Sequence, residues 1–464
     1  MVFCEWKNSS LNAKLYIYLL FIVALLLLLS EHNSRPDEGA TINIAWQLLQ
    51  GKTIYSQLFQ EFISPGSGYL ILYIWKLFGT YNYLIVKLSF IILVGLSAIL
   101  FSKSAWSISK SNFRQNMALF TLIPTFCPTV LINHNTLSSL VAIWCLYLII
   151  EAYYGKKNTF LYLFLAGITT ALCLWFLQTK GLSVFGAIIL SIFFFKIRPV
   201  QKFQSLLSYS VGFVVTLWIL FFKFSVHSLI EALIIFPREI GYISANLKQL
   251  DYFILSLMLL ILCCMVFYYI KSKNNLIIIL FFFQLMLFLS FANNINLGHF
   301  SINIFPFLLI VLTFVKKNKI ITEENILICV ISYFAYTSFI LIFLTLNIYN
   351  VEIFRTKKLF DARWDNIKSA RNIYAGPFMP NLYYELGKEN IMPMPNMQFC
   401  KGVCATFAIE QLKLKRPEYA LVDLESLKGF GYTPDNPIDQ YILTHYKYCR
   451  NIDDIQVYTL DKCE

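Results

Sequence analysis

Apolar runs of about bilayer-crossing length recur along this chain and leave it few ways to fold. A crossing helix needs roughly 20 mostly apolar residues. Runs near that length occupy 15–30, 83–101, 116–132, 137–154, 159–177, 181–196, 204–222, 252–270, 275–291, 300–315 and 325–349. Lipid offers backbone N–H and C=O groups no partner, so such runs must close their hydrogen bonds internally as helices. Composition agrees: 58% of the 464 residues are hydrophobic and 14% are charged, where soluble domains carry about a quarter. The chain therefore reads as a polytopic α-helical membrane protein with about 11 transmembrane helices. Lys7 and Lys14 precede the first run as they would in a signal peptide. Ser30-Glu31-His32-Asn33 follows it with no small-x-small cleavage site, so the run is expected to stay as the first transmembrane helix.

Charge placement sets an expected orientation. With the N-terminus cytoplasmic, the inner loops carry Lys103, Lys110 and Arg114; Lys156 and Lys157; Lys196, Arg198 and Lys202; Lys271 and Lys273; and Lys316, Lys317 and Lys319. The opposite loops carry fewer, so every second loop is basic, as the positive-inside rule requires. This predicts a multi-pass protein of the inner (cytoplasmic) membrane with its C-terminal segment extracytoplasmic. The net charge of +12 is thereby used up in loops. No basic stripe with interleaved aromatics remains to track a phosphate backbone, so nucleic acid is not an expected partner.

The first outer loop, 31–82, is long and patterned. Over 37–50, Ile42, Ala45, Trp46 and Leu49 share one helical face, Thr41, Asn43, Gln47 and Gln50 take the other, and Gly51 follows as a C-terminal cap. A second amphipathic helix is expected over Ser67 to Phe78, after Pro65-Gly66 and before Gly79. Both are expected to lie along the membrane interface. From about 350, charges and prolines become frequent, and Tyr419-Ala420-Leu421-Val422 and Ile455-Gln456-Val457-Tyr458 read as strands. The segment 438–448 reads as a helix, so 350–464 is expected to form a small α/β domain after the membrane part, 1–349. Four of the eleven cysteines, Cys400, Cys404, Cys449 and Cys463, fall in that domain. An even number outside the cell suggests disulfides, with three pairings possible.

Chemistry has one conspicuous place to sit. Asp37 and Glu38 stand just past the first span, where low-dielectric surroundings can raise a carboxylate's pKa towards that of a general base. Acids in a helix's first turn are also favoured by the macrodipole alone. The wider series is more informative. Asp37-Glu38-Gly39 is followed by Ala45-Trp46-Gln47-Leu48-Leu49-Gln50-Gly51-Lys52-Thr53-Ile54-Tyr55, by Glu61-Phe62-Ile63-Ser64-Pro65-Gly66, and by Leu77-Phe78-Gly79. This order resembles the first outer loop of the C-type (GT-C) glycosyltransferases, a superfamily that includes protein O-mannosyltransferases and lipid A aminoarabinose transferases. Lys87 before the second long run, Thr179-Lys180-Gly181 between two later ones, Gly298-His299-Phe300 with Phe305-Pro306, and Tyr374-Ala375-Gly376-Pro377-Phe378 add shorter matches.

The resemblance implies a glycosyltransferase of the cell envelope that uses a sugar carried on a polyprenyl phosphate. It implies Asp37 as base, with Glu38 and Glu61 orienting the acceptor or holding a divalent cation through oxygen ligands. No cofactor is firmly implied, and the metal is left open. Lys180, Lys87, Arg238 and His299, all expected near outer ends of spans, would bind the leaving phosphate. His134, in Asn133-His134-Asn135-Thr136, is a further pocket candidate. The acceptor could be lipid, glycan or protein. The competing readings are a lipid-linked glycan transporter or flippase, and a non-catalytic membrane scaffold. A transporter predicts internal repeats and ionisable residues near the midplane; neither is evident, and a scaffold leaves the acidic first loop without a role.

Overall fold

The computed structural model describes residues 36–56, 63–112, 115, 118, 132–155, 158–235, 249–292, 295, 297–314, 362–395, 397, 400–423, 436–460 and 463. Among these, five helices are long and apolar enough to cross a membrane. They are α3 (Tyr83–Ser109), α4 (His134–Tyr154), α5 (Thr159–Phe176), α7 (Pro199–Phe221) and α9 (Gln249–Ser272). Between and around them stand α1 (Pro36–Leu49), α2 (Gly66–Phe78), α6 (Gln178–Phe193), α8 (Val226–Ile230), α10 (Asn275–Leu289), α11 (Leu297–Asn303) and α12 (Phe305–Phe314). The expected spans at 15–30 and 325–349, and nearly all of 116–132, lie outside the described residues.

Two of the long helices start where a polar side chain replaces a missing intrahelical partner. Asn82 accepts from the Leu84 N–H at the start of α3, and Asn133 forms a capping box with Thr136 at the start of α4. The tightest crossing joins α5 to α7. A Cβ added at Gly167 would lie 2.2 Å from the Tyr209 carbonyl oxygen, and one at Gly212 would lie 2.2 Å from that of Phe164. Two facing glycines let the backbones touch, as small residues do between helices in lipid. Gly167→Ala must push the helices apart and should cost about 1–3 kcal/mol. A thermal melt of the detergent-solubilised protein reads this as a lower midpoint; no change would mean the crossing contributes little.

The residues from Ala362 onward build a four-stranded sheet in the order β1-β2-β4-β3. Its strands are β1 (Ile373–Gly376), β2 (Tyr419–Val422), β3 (Lys447–Ile452) and β4 (Ile455–Thr459), with β1 parallel to β2 and the rest antiparallel. Alternation along each strand feeds two cores, one on each face. Ile373, Ala375, Leu421 and Val457 pack with Trp364 and Tyr383 on one side. Tyr374, Ala420, Val422 and Tyr458 pack on the other with Met392, Met394 and residues of α15 (Val403–Lys415) and α16 (Pro437–His445). Helices α13 (Asp365–Ser369) and α14 (Asn381–Glu385) complete this portion. Disulfides join Cys400 to Cys404 and Cys449 to Cys463, selecting one of the three possible pairings.

The two helices of the long first loop form where expected, but the polar face of α1 does not look into water. Thr41, Asn43 and Gln47 are buried because the C-terminal portion covers them. The Asn43 amide donates to the Pro380 carbonyl (2.9 Å), and its oxygen accepts from Gln47 (2.7 Å) and Asn390 (3.1 Å). The Trp46 indole donates to the Lys388 carbonyl (2.8 Å), and Tyr384 stacks on Trp75 of α2 at 5.4 Å. The amphipathic pattern was real; the partner of its polar side lies more than 300 residues away in sequence.

Candidate active site

Helix α1 is clamped from both sides, and its first turn carries the acidic pair. Asp37 lies in that turn, with its side chain outside the described residues. Glu38 is buried, 2% exposed, and its carboxylate accepts from the Ile132 N–H at 3.4 Å. That contact brings α1 to the entry of α4, where Asn133, His134 and Asn135 follow directly. Glu61 and Arg238 lie outside the described residues. The loop that carries Glu61 returns close by: three residues later, the Ser64 N–H and hydroxyl both donate to the Gln178 Oε1, at 3.1 and 3.2 Å. Gly66 then presses on the end of α5, where an added Cβ would sit 2.5 Å from the Trp175 carbonyl oxygen.

Two residues beyond Gln178, Lys180 points into the bundle and is 1% exposed. Its ammonium donates to the Asn135 carbonyl (3.1 Å) and the Ser139 hydroxyl (2.5 Å), both on α4. Among the described residues no carboxylate pairs with it. A buried ammonium needs acceptors for three N–H groups and a compensating charge, and the described residues supply two neutral acceptors. His134 interacts electrostatically with both Lys180 and His299; both histidines are half-buried, His134 bonded to Asn135 (3.0 Å) and His299 edge-on to Phe291. Three basic groups from α4, α6 and α11 thus gather beside the end of the bundle that α1 enters.

Lys87 does not snorkel to the surface; it is 1% exposed on α3, with its ammonium 4.8 Å from the centre of the Tyr83 ring. Its neighbours Val86 and Phe90 line a small, wholly apolar groove with Ile71, Ile74, Ile132 and Leu137, ending beside the Glu38 contact. Sequence reasoning missed Asn135, Ser139, Asn303 and Gln284, which surround Lys180 or support its partners. Their signal was available, since a neutral polar residue inside an apolar run must find a partner in the bundle. Among the described residues, no three His, Cys, Asp or Glu side chains converge as a metal site would need.

No family model matches the sequence, and no curated protein does. Solved structures do. ArnT from Cupriavidus metallidurans, bound to undecaprenyl phosphate, aligns with a TM-score of 0.61 at 9% identity, covering 97% of this chain and 98% of that one. The chain shares the fold of ArnT. ArnT in the apo state gives 0.59 at 10% identity over the same shares of both chains. The archaeal oligosaccharyltransferase AglB from Archaeoglobus fulgidus, in complex with an inhibitory peptide and a dolichol-phosphate, aligns at 0.47 and 10% identity, covering 98% of this chain and 75% of its own. At such identities the likeness to ArnT is one of fold. It runs through the sheet-bearing C-terminal portion as well as the helices.

One element of this seating titrates. Lys52, in the turn after α1, donates to the Asn390 carbonyl and pairs with Glu389 at 3.3 Å. Burial lowers its pKa from the ordinary lysine value, and Glu389 opposes this only in part. The unfolded chain therefore binds the proton more firmly, and this group's contribution to stability rises with pH between the lowered value and 10.5. Lys52→Met should be neutral or mildly stabilising near pH 7, within about 1 kcal/mol. Its advantage should shrink as pH rises. Thermal midpoints from about pH 7 to about pH 10 check the sign; a marked loss at neutral pH would mean the ion pair outweighs its burial.

Proposed function

We propose that this protein is a membrane glycosyltransferase that moves a sugar from a polyprenyl-phosphate donor to an acceptor hydroxyl at the extracytoplasmic face, with inversion. The observation that carries the reading is Lys180: a fully buried ammonium with two neutral acceptors and no carboxylate among the described residues, with His134 as a neighbour. A lipid phosphate supplies the missing charge.

In this reading the Asp37 carboxylate takes the proton of the acceptor hydroxyl. The freed oxygen forms a bond to the anomeric carbon from the face opposite the phosphate, and the carbon–oxygen bond to the phosphate breaks. Its electron pair leaves on the lipid phosphate, which is stable without a proton, so positive charge around it does the work of a general acid. Lys180 provides that charge, with His299, Lys87 and Arg238 as further candidates and His134 as a neutral pocket residue beside it. Glu38 and Glu61 orient the acceptor. The C-terminal portion, 350–464, acts as an extracytoplasmic domain that caps α1, and its two disulfides suit an oxidising compartment.

The test is direct. The purified chain should bind undecaprenyl phosphate saturably in phosphatidylcholine nanodiscs and release it as product when given a polyprenyl-phosphate sugar and envelope acceptors. Transport of the intact lipid-linked sugar across a sealed vesicle, with no bond cleaved, would replace this reading with a transporter.

A further inference from the structure

Past its first residue, α10 runs Leu-Ile-Ile-Ile-Leu-Phe-Phe-Phe-Gln-Leu-Met-Leu-Phe-Leu, and Gln284 is the single polar side chain in that run. It is completely buried. A lone amide in such surroundings costs free energy unless both its ends are bonded, and both are. Its Nε2 donates to the Asn303 carbonyl at 2.9 Å, and its Oε1 accepts from the Phe307 N–H at 3.1 Å.

These two partners flank a break in the membrane-embedded backbone. Asn303 closes α11, Ile304 lies outside either helix, and α12 begins at Phe305 with Pro306 behind it. A break leaves a terminal carbonyl on one side and an initial N–H on the other without intrahelical partners, and proline removes a donor besides. Gln284 satisfies one group on each side. It therefore clasps the break and fixes the end of α11.

What α11 presents there is the support of Lys180. The Asn303 amide donates to the His299 carbonyl (2.7 Å), and its Oδ1 accepts from the Ser139 hydroxyl (3.2 Å). That hydroxyl shares its proton with the Asn135 carbonyl (2.9 Å) and accepts from the Lys180 ammonium (2.5 Å). We propose that Gln284 is a positioning residue for the lipid-phosphate site, clasping the broken helix so that Asn303 and Ser139 aim the Lys180 ammonium. This rests on the reading of Lys180 as a phosphate contact and adds a residue remote from the ligand to it.

The experiment measures affinity of the full chain in phosphatidylcholine nanodiscs for undecaprenyl phosphate and, separately, for undecaprenol, which has the same tail and no phosphate. Gln284→Met keeps the volume and loses both bonds. It should weaken undecaprenyl phosphate binding about tenfold and leave undecaprenol unchanged. Ser139→Ala, which cuts the same chain closer to Lys180, should weaken the phosphate lipid about fivefold and tests the proposal even if Gln284→Met fails to fold. Phosphate affinity within twofold of wild type in both variants, or equal weakening of both lipids, would reduce Gln284 to a fold staple and overturn the inference. Failure of the wild-type chain to prefer the phosphate over the alcohol would instead defeat the lipid-phosphate reading itself.

Discussion

Lys180→Ala lowers affinity for undecaprenyl phosphate by about a hundredfold, close to 3 kcal/mol, and leaves the fold as stable as before. The two halves of this expectation come from one observation. Among the described residues the buried ammonium has neutral acceptors only, so in the free protein it carries a desolvation cost that alanine removes. Against that stands the loss of two hydrogen bonds, which leaves Asn135 and Ser139 with other partners. With a lipid phosphate in place the balance reverses, because a charge-assisted contact in water-excluded surroundings is strong. Lys180→Arg should restore little, since a planar fork with five donors does not fit a site shaped for a compact ammonium. Equilibrium binding and a thermal melt on the same preparations separate the effects. Unchanged affinity, or collapse of the fold, would show that Lys180 is structural.

Asp37→Asn abolishes transfer, by about a thousandfold or more, while lipid-phosphate binding persists. A positioned general base contributes roughly 100- to 10,000-fold, and an amide of the same shape cannot accept the acceptor's proton. Glu38→Gln should cost much less, about tenfold at most. The Glu38 carboxylate is buried and accepts from the Ile132 N–H, a bond a glutamine oxygen can keep, so a glutamine can still hold α1 against the entry of α4 and orient the acceptor. Single-turnover transfer from a preformed donor complex distinguishes chemistry from binding. If Asp37→Asn retains the rate and Glu38→Gln loses it, the base is Glu38, and the helix register of the first turn must be read one residue on.

Much of the helical frame was legible in the residues. The apolar runs at 137–154, 159–177 and 252–270 became α4, α5 and α9 within a few residues, because lipid forces any such run into a helix. The two helices of the first loop and strand β2 were equally plain, each written in local periodicity and bounded by Gly, Pro or Asn. Strands β1 and β3 were not read as strands: Ile373–Gly376 is short, and Lys447–Ile452 sits at the sheet edge with a bulge and little apolar alternation. Strand identity there depends on a neighbour, not on propensity.

For the site the division is sharper. The sequence alone determined which residue types were present and on which segments: an acidic pair at a helix start, a lysine at a turn between apolar runs, and histidines at 134 and 299 beside others. It could not determine that Lys180 turns inwards to α4 while Lys87 lies against Tyr83, since both are single lysines near the ends of apolar runs. Nor could it pair Asn43 with Pro380 and Asn390, or Gln284 with both sides of the break at Ile304. Periodicity along a chain records which face of a helix is polar. Only tertiary structure decides what meets that face, because the free energy of a buried polar group is set by a partner that the local sequence does not contain.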